Sequence, residues 1–197
     1  MSSSLFLSMA VYALVTSITP GPVNVVALSY GTQYGVRVSA IYVTGQATGY
    51  TLLLLLIGLG LHHILELYPL LITIIQWAGI AFLLFLAYKF FTDNGQLQTS
   101  KQRNSNRPFL YGALMQWLNP KAWLCAVAGI GAYTMQGNTL LVWKFAVIYW
   151  IICFLSVGCW AYAGIFLQHF LQKPNYLKRF NQLMALLLVA SAIFLAL

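Results

Sequence analysis

The sequence predicts an all-α integral membrane protein with six transmembrane helices, and three observations lead there. Of 197 residues, 61% are hydrophobic and only 6% are charged, against roughly 25% charged in a soluble domain. A water-facing skin cannot be made from so few charges. Six apolar runs, at about 5–30, 38–61, 67–91, 109–135, 140–167 and 180–197, reach or approach the roughly 20 residues a helix needs to cross the hydrocarbon core. None alternates in polarity as the strands of a membrane barrel must, so helices are the remaining way to span.

The first run follows Met1-Ser2-Ser3-Ser4, with no basic residue before it and no small-residue cleavage site after it. It therefore reads as a retained helix rather than a signal peptide. The second run carries Gly45-x-x-x-Gly49, a spacing that lets helices approach closely, for internal packing or for a dimer or gate contact. Thr44, Gln46, Thr48 and Thr51 beside it line a pathway or bond across helices. His62, His63 and Glu66 have a spacing that can bind a metal at a helix end, but read more simply as wet residues at the outer surface. The third run ends in the polar stretch 92–108, rich in Gln, Asn and Ser, a loop too short to be a domain. Trp77, Trp143 and Tyr149 read as packing or interface anchors, and His169 has no obvious partner. Cys125, Cys153 and Cys159 lie inside apolar runs without a Cys-x-x-Cys pair, so neither a disulfide framework nor a zinc site follows. The whole chain, 1–197, is read as a single transmembrane domain.

Ten Lys and Arg stand against two acids, a net charge of +8. In a soluble protein this excess would point to nucleic acid. Here the bases sit in short loops, where they set topology and meet anionic lipid headgroups. If the first helix runs outside to inside, Arg37, Lys89, Lys101, Arg103, Arg107, Lys173, Lys178 and Arg179 all face the cytoplasm, while Lys144 and Glu66 face out. That bias predicts both termini on the outer side. Lys121 is left over, inside an apolar run.

Two runs are interrupted. Thr19-Pro20-Gly21-Pro22 falls near the middle of the first and Asn119-Pro120-Lys121 inside the fourth. Each proline removes a backbone donor and clashes with the preceding turn, so each site predicts a broken helix. The two breaks hold matching places in two halves, about 1–91 and 109–197, joined by the polar loop 92–108. Three spans per half give the halves opposite orientations. Broken helices in two inverted three-helix repeats point to a transport site at the bilayer midplane. Pro22 suits the first position of a new half-helix, leaving the N–H groups of Val23 and Asn24 free. Asn119 is read as an N-cap, Pro120 as the first helical residue, and the N–H groups of Lys121 and Ala122 as free. Two helix N-termini facing one cavity suit a carboxylate. The carbonyls near Ser17–Ile18 and Gln116–Leu118 suit an ammonium group, and together the two ends describe a zwitterion. The other reading lays 109–118 along the interface and makes Lys121 an ordinary cytoplasmic anchor. A lysine at mid-membrane costs roughly 2.5–3.5 kcal/mol on insertion scales, so one kept there has a task.

These motifs, Thr19-Pro20-Gly21-Pro22-Val23-Asn24 and Asn119-Pro120-Lys121, resemble the signature positions of the LysE/RhtB family of bacterial amino-acid exporters. Length, six spans and the loop after the third fit the resemblance as well. Gly158-Cys159-Trp160-Ala161-Tyr162-Ala163-Gly164 and Ala185-Leu186-Leu187-Leu188-Val189 are similar to the branch that exports cysteine and O-acetylserine. Some members carry an acid just after the Pro-Gly-Pro, where this chain has Val23 and Asn24. That departure speaks against a cationic substrate. The resemblance implies a secondary transporter in the bacterial inner membrane that exports a small neutral amino acid, down an ion gradient with H+ as the candidate coupling ion. Its substrate would meet Thr19, Pro20, Gly21, Pro22, Asn24, Asn119, Pro120 and Lys121.

The absences fit. No Gly-x-x-x-x-Gly-Lys-Ser/Thr loop is present to cradle ATP phosphates. No buried nucleophile, base and metal set is legible, so no enzyme, cofactor or metal is expected. Glu66 and Asp93 are the two acids and both lie outside the apolar runs, which leaves no buried carboxylate for a proton relay. A structural or regulatory membrane subunit is the alternative, though it would not need matching breaks. Redox carriers with a related helical plan place cysteines beside these prolines, and the first span has none. The exact substrate and the oligomeric state, a homo-oligomer included, are open at this stage.

Overall fold

Proline and glycine punctuate the apolar runs, and the helices begin and end where they stand. A computed structural model describes residues 3–61, 67–68, 70–93, 107–134, 138–171 and 174–196. Among these, seven α-helices follow in order: α1 (Ser3–Ile18), α2 (Pro22–Leu56, continued by a π turn at Ile57–Leu61), α3 (Leu70–Phe91), α4 (Pro108–Trp117), α5 (Pro120–Thr134), α6 (Thr139–Gln168) and α7 (Pro174–Ala196). No strand occurs among the described residues. Helices α2, α4, α5 and α7 all open on a proline, where the missing N–H has no intrahelical partner to lose. Helix α7 starts six residues ahead of the apolar run expected at 180–197, because its first turns carry Lys178 and Arg179 and escape a hydropathy reading. His62, His63 and Glu66 lie outside the described residues, as does most of the loop 92–108.

Among the described residues four stretches, in α2, α3, α6 and α7, are long and apolar enough to cross a membrane. Helices α1, α4 and α5 have 16, 10 and 15 residues, or about 24, 15 and 22 Å at roughly 1.5 Å per residue. Each is short of the ~30 Å hydrocarbon core. Helix α2 has the opposite problem. Its 35 residues would extend about 52 Å if straight. Gly35, at φ +75° and ψ −173°, adopts a conformation open to glycine and strained for other residues, and the helix folds back there. Tyr30 and Tyr42 would be about 18 Å apart along a straight helix, yet their rings stack at 4.4 Å. Helix α2 is thus two arms, one before Gly35 and one after.

Polarity runs inside out relative to a soluble protein. Phe194, Leu67 and Tyr162 are 79%, 74% and 70% exposed, while Asn24, Gln46, Gln116 and Asn119 are buried. An apolar outer face suits lipid, and the polar side chains are gathered in the interior. Helix α2 packs on α6 and α4, α3 on α7, and α1 on α6. Small residues allow the closest crossings. A Cβ on Gly45 would lie 2.0 Å from the Phe109 carbonyl oxygen of α4, and one on Gly49 would lie 2.6 Å from Ala113 Cα. The Gly45-x-x-x-Gly49 face is therefore spent on internal packing. In the first arm, Gly31 packs against Ala161 and Gly164 of α6 as tightly.

Candidate functional site

At the first break, Thr19 to Gly21 separate α1 from α2. Val25 N–H donates to the Gly21 carbonyl at 3.0 Å, so the helical ladder leaves the N–H groups of Val23 and Asn24 ahead of it. No side chain caps this end. The Asn24 side chain instead turns back, its Nδ2 donating to the carbonyls of Ser17 at 3.0 Å and Thr19 at 2.8 Å. The Thr19 hydroxyl donates to the Val15 carbonyl.

The second break is tighter. Asn119 caps α5: its Oδ1 accepts from Lys121 N–H at 3.2 Å, and its carbonyl accepts from Ala122 N–H at 2.9 Å. The expected cap is present, but the two N–H groups expected to be free are both bonded, because the cap consumes them. Pro120 is buried against α3, where a Cβ on Gly79 would come within 2.4 Å of Pro120 Cδ.

Lys121 joins the breaks. Its Nζ donates to the Thr19 carbonyl across the molecule, 3.3 Å away. Between them lies a cavity lined by Thr19, Gly21, Asn24, Asn119 and Lys121. Thr16, Ser17, Gln46, Tyr50, Gln116 and Tyr149 add to its polar wall, and Cys125 and Cys153 contribute thiols. Lys121 is the one charged side chain in this lining. Tyr149 OH and Thr16 Oγ1 share a hydrogen bond of 2.7 Å, and the Tyr50 ring stacks on Tyr149 at 4.1 Å. The Tyr50 hydroxyl is buried in the same wall, beside that of Tyr149. The cavity is small, about 40 Å³, which is room for water rather than for an amino acid.

The carbonyls expected to await an ammonium group are largely taken. Ile18 O accepts from Trp160 Nε1 at 3.1 Å, Trp117 O from Trp123 Nε1 at 2.8 Å, and Gln116 O from Asn119 N–H at 3.1 Å. Breaking a helix exposes carbonyls, and indole and amide donors in a dry interior reach them first.

Two aromatic trios adjoin the cavity wall, one through Tyr42 OH, 3.5 Å from the Val23 carbonyl, and one through Phe145, 5.8 Å from the Tyr149 ring. Tyr30, Tyr42 and Tyr111 have ring centroids 4.4, 5.9 and 6.2 Å apart. Tyr12, Tyr133 and Phe145 have theirs 5.7, 6.2 and 5.3 Å apart.

A LysE type translocator family model matches residues 14–197, nearly the entire chain including both breaks. The chain belongs to this family. It is 28% identical to the cysteine/O-acetylserine efflux protein of Escherichia coli strain K12 over 98% of each chain. It is also 28% identical to the protein of that name from Salmonella choleraesuis over 92% of each. No solved structure matches. The protein is accordingly a multi-pass membrane translocator.

In this translocator Thr19, Gly21, Asn24, Asn119 and Lys121 converge on the cavity. Pro20 and Pro22 face an apolar groove against α7, and Pro120 faces another against α3. No proline lines the small cavity, but the groove at Pro20 and Pro22 also takes in Thr19, Gly21 and Lys121 and so touches both breaks. Sequence reasoning passed over Tyr50 and the side chain of Gln116 and read Tyr149 as a packing or interface anchor. The usable signal was a polar side chain within an apolar run, which did single out Gln46. Thr44 and Thr51 bond only carbonyls of their own helix at 2.8 Å, and Thr48 accepts from Trp150 Nε1. Trp77 and Trp143, 60% and 52% exposed, face outward as anchors do.

Proposed function

We propose that this chain exports a small neutral amino acid, of the cysteine or O-acetylserine type named for its relatives, from the cytoplasm through the cavity between the two breaks. The observation that carries the reading is the reach of Lys121 from one break to the Thr19 carbonyl of the other. Lys121 ammonium and the N–H groups of Val23 and Asn24 bind the substrate carboxylate, since all are donors with no acid beside them. The ammonium group meets neutral acceptors, among them the Tyr50 hydroxyl and the Gln46 amide. A cavity with one fixed positive charge disfavours a cationic amino acid.

The same reading gives six spans in two inverted repeats. Helix α1 with the first arm of α2 is the first span, and α4 with α5 is the fourth. The second arm of α2, then α3, α6 and α7, are the rest. Two correspondences support it. The inner trio takes Tyr111 from α4, Tyr30 from the first arm and Tyr42 from the second. The outer trio takes Tyr12 from α1, Tyr133 from α5 and Phe145 from α6. Each trio thus draws on the first piece of one half's broken span, and on the second piece and following helix of the other. The glycine crossings pair off likewise, the second arm with α4 and α6 with the first arm. The trios serve as alternating gates, one opening to the cytoplasm and the other to the outside. Both are closed around the small cavity described above. The basic residues set both termini on the outer side.

Uptake of labelled cysteine by everted membrane vesicles tests the export reading. Vesicles containing the protein should accumulate label faster than control vesicles, and equal rates would sink it. A reporter active only in the cytoplasm should work when fused at Leu97 and fail at Gly137.

A further inference from the structure

A second polar cavity, about 550 Å³, lies on the far side of the inner trio, with Tyr30 and Tyr111 forming part of its wall. Its volume is within the roughly 300–1,000 Å³ of small-molecule sites, whereas the central cavity admits only water. Three of its lining residues are charged: Lys89, Asp93 and Arg107. Asp93 is one of only two acids in the chain. Lys89 and Arg107 are exposed, and Lys89 Nζ also lies 5.3 Å above the Phe85 ring. Gln33 and Ser29, bonded to each other at 2.9 Å, add neutral polar groups.

Arg107 is held there by its backbone. It is the one non-glycine residue with positive φ among the described residues, at +95°, immediately before Pro108 opens α4. A residue before proline is kept out of the right-handed helical region, and α4 therefore starts sharply with Arg107 at the mouth. Left-handed backbone at an arginine is strained, and such strain clusters at functional positions.

We propose that this vestibule is a capture site for the zwitterion of a neutral amino acid, occupied before the inner trio opens. This inference rests on the export reading and on its orientation, which turns the vestibule to the cytoplasm. The Arg107 guanidinium takes the carboxylate through paired N–H donors, assisted by Lys89. Asp93 takes the ammonium group. Among the described residues the lining carries two cations and one anion, so an amino acid with a cationic side chain is repelled while a neutral one is held. The bound substrate then lies against Tyr30 and Tyr111, one gate away from Lys121.

Initial rates of labelled cysteine uptake in everted vesicles, measured against concentration, test this. Arg107→Gln should raise KM at least fivefold and Asp93→Asn at least threefold, with maximal rates within twofold of wild type. Gln is as strained as Arg at this φ, so the substitution changes the charge and leaves the backbone demand as it was. Arg107→Lys keeps the charge and should restore KM to within twofold. Excess unlabelled serine should compete and excess lysine should not. Protein level is measured in the same vesicles, and Asp93→Asn carries the test should Arg107→Gln fail to insert. Unchanged KM in an inserted Asp93→Asn or Arg107→Gln, or lysine competing as well as serine, overturns the capture site while leaving export intact. Absence of uptake by the wild type overturns the export reading and the capture site together.

Discussion

At the first break three residues separate α1 from α2, no side chain caps the new helix, and Asn24 ties the ends together by reaching back to two carbonyls. At the second break Asn119 caps α5 through its own side chain and Pro120 is wedged against Gly79. The punctuation is similar, yet one break leaves backbone donors ahead of its helix and the other consumes them. A proline motif therefore opens a helix without deciding whether the opening is a binding surface. That is decided by which neighbouring groups reach the freed donors and acceptors first. The second break contributes a charge, Lys121, and the first contributes backbone dipoles.

The largest expected effect follows from removing that charge. Lys121→Met keeps the stem and should lower cysteine flux at least tenfold at near-normal protein level. Tenfold corresponds to about 1.4 kcal/mol, a modest demand on one charge-assisted contact. Lys121→Arg should also be impaired, because a planar fork does not replace a compact point charge in a narrow cavity. Full transport in both variants would take Lys121 out of the site and leave the first break to act alone.

Next in size is Asn24→Ala, which unties the Ser17 and Thr19 carbonyls without touching the second break. Flux should fall about fivefold, in line with the roughly 1 kcal/mol net worth of a buried hydrogen bond. Wild-type flux would mean that the first break holds its shape through packing alone.

The glycines beside the two breaks sharpen the contrast. Gly79→Ala pushes a methyl group into Pro120 Cδ and the Leu118 carbonyl, overpacking that costs about 1–3 kcal/mol and should lower the thermal midpoint of the purified protein in detergent. Gly21→Ala places its methyl 3.5 Å from Lys121 Nζ, an ordinary contact, on extended backbone at φ −170°. Its stability should match wild type. An equal loss of stability in the two variants would show that the first break is as rigid as the second.

Much of the fold was legible in the sequence because the membrane is a strict solvent. Apolar runs become helices when no water is present to satisfy the backbone, and Pro20, Pro22 and Pro120 interrupt helices wherever they stand. The breaks and the cap at Asn119 follow from local chemistry of that kind, whereas the spacing of Gly45 and Gly49 predicted a close approach without saying whether to a helix of the same chain, a second copy or a gate. The fold-back of α2 was legible only as a gap between two runs. Gly35 looks like any other glycine until the arms on either side must pack together.

What no local rule supplied is the set of partners. Nothing in the run containing Tyr149 says that its hydroxyl meets Thr16 rather than a lipid headgroup, and nothing in the fourth run says that Gln116 reaches the cavity while Trp117 bonds the Gly49 carbonyl. Trp160 and Trp123 silence carbonyls that lie 142 and 6 residues away in sequence. The amino-acid sequence alone determined that this chain is helical, embedded and broken twice. Tertiary packing decided which exposed backbone groups remain open to a substrate, because a freed donor or acceptor in a dry interior takes the nearest available partner, and nearness is set by the fold.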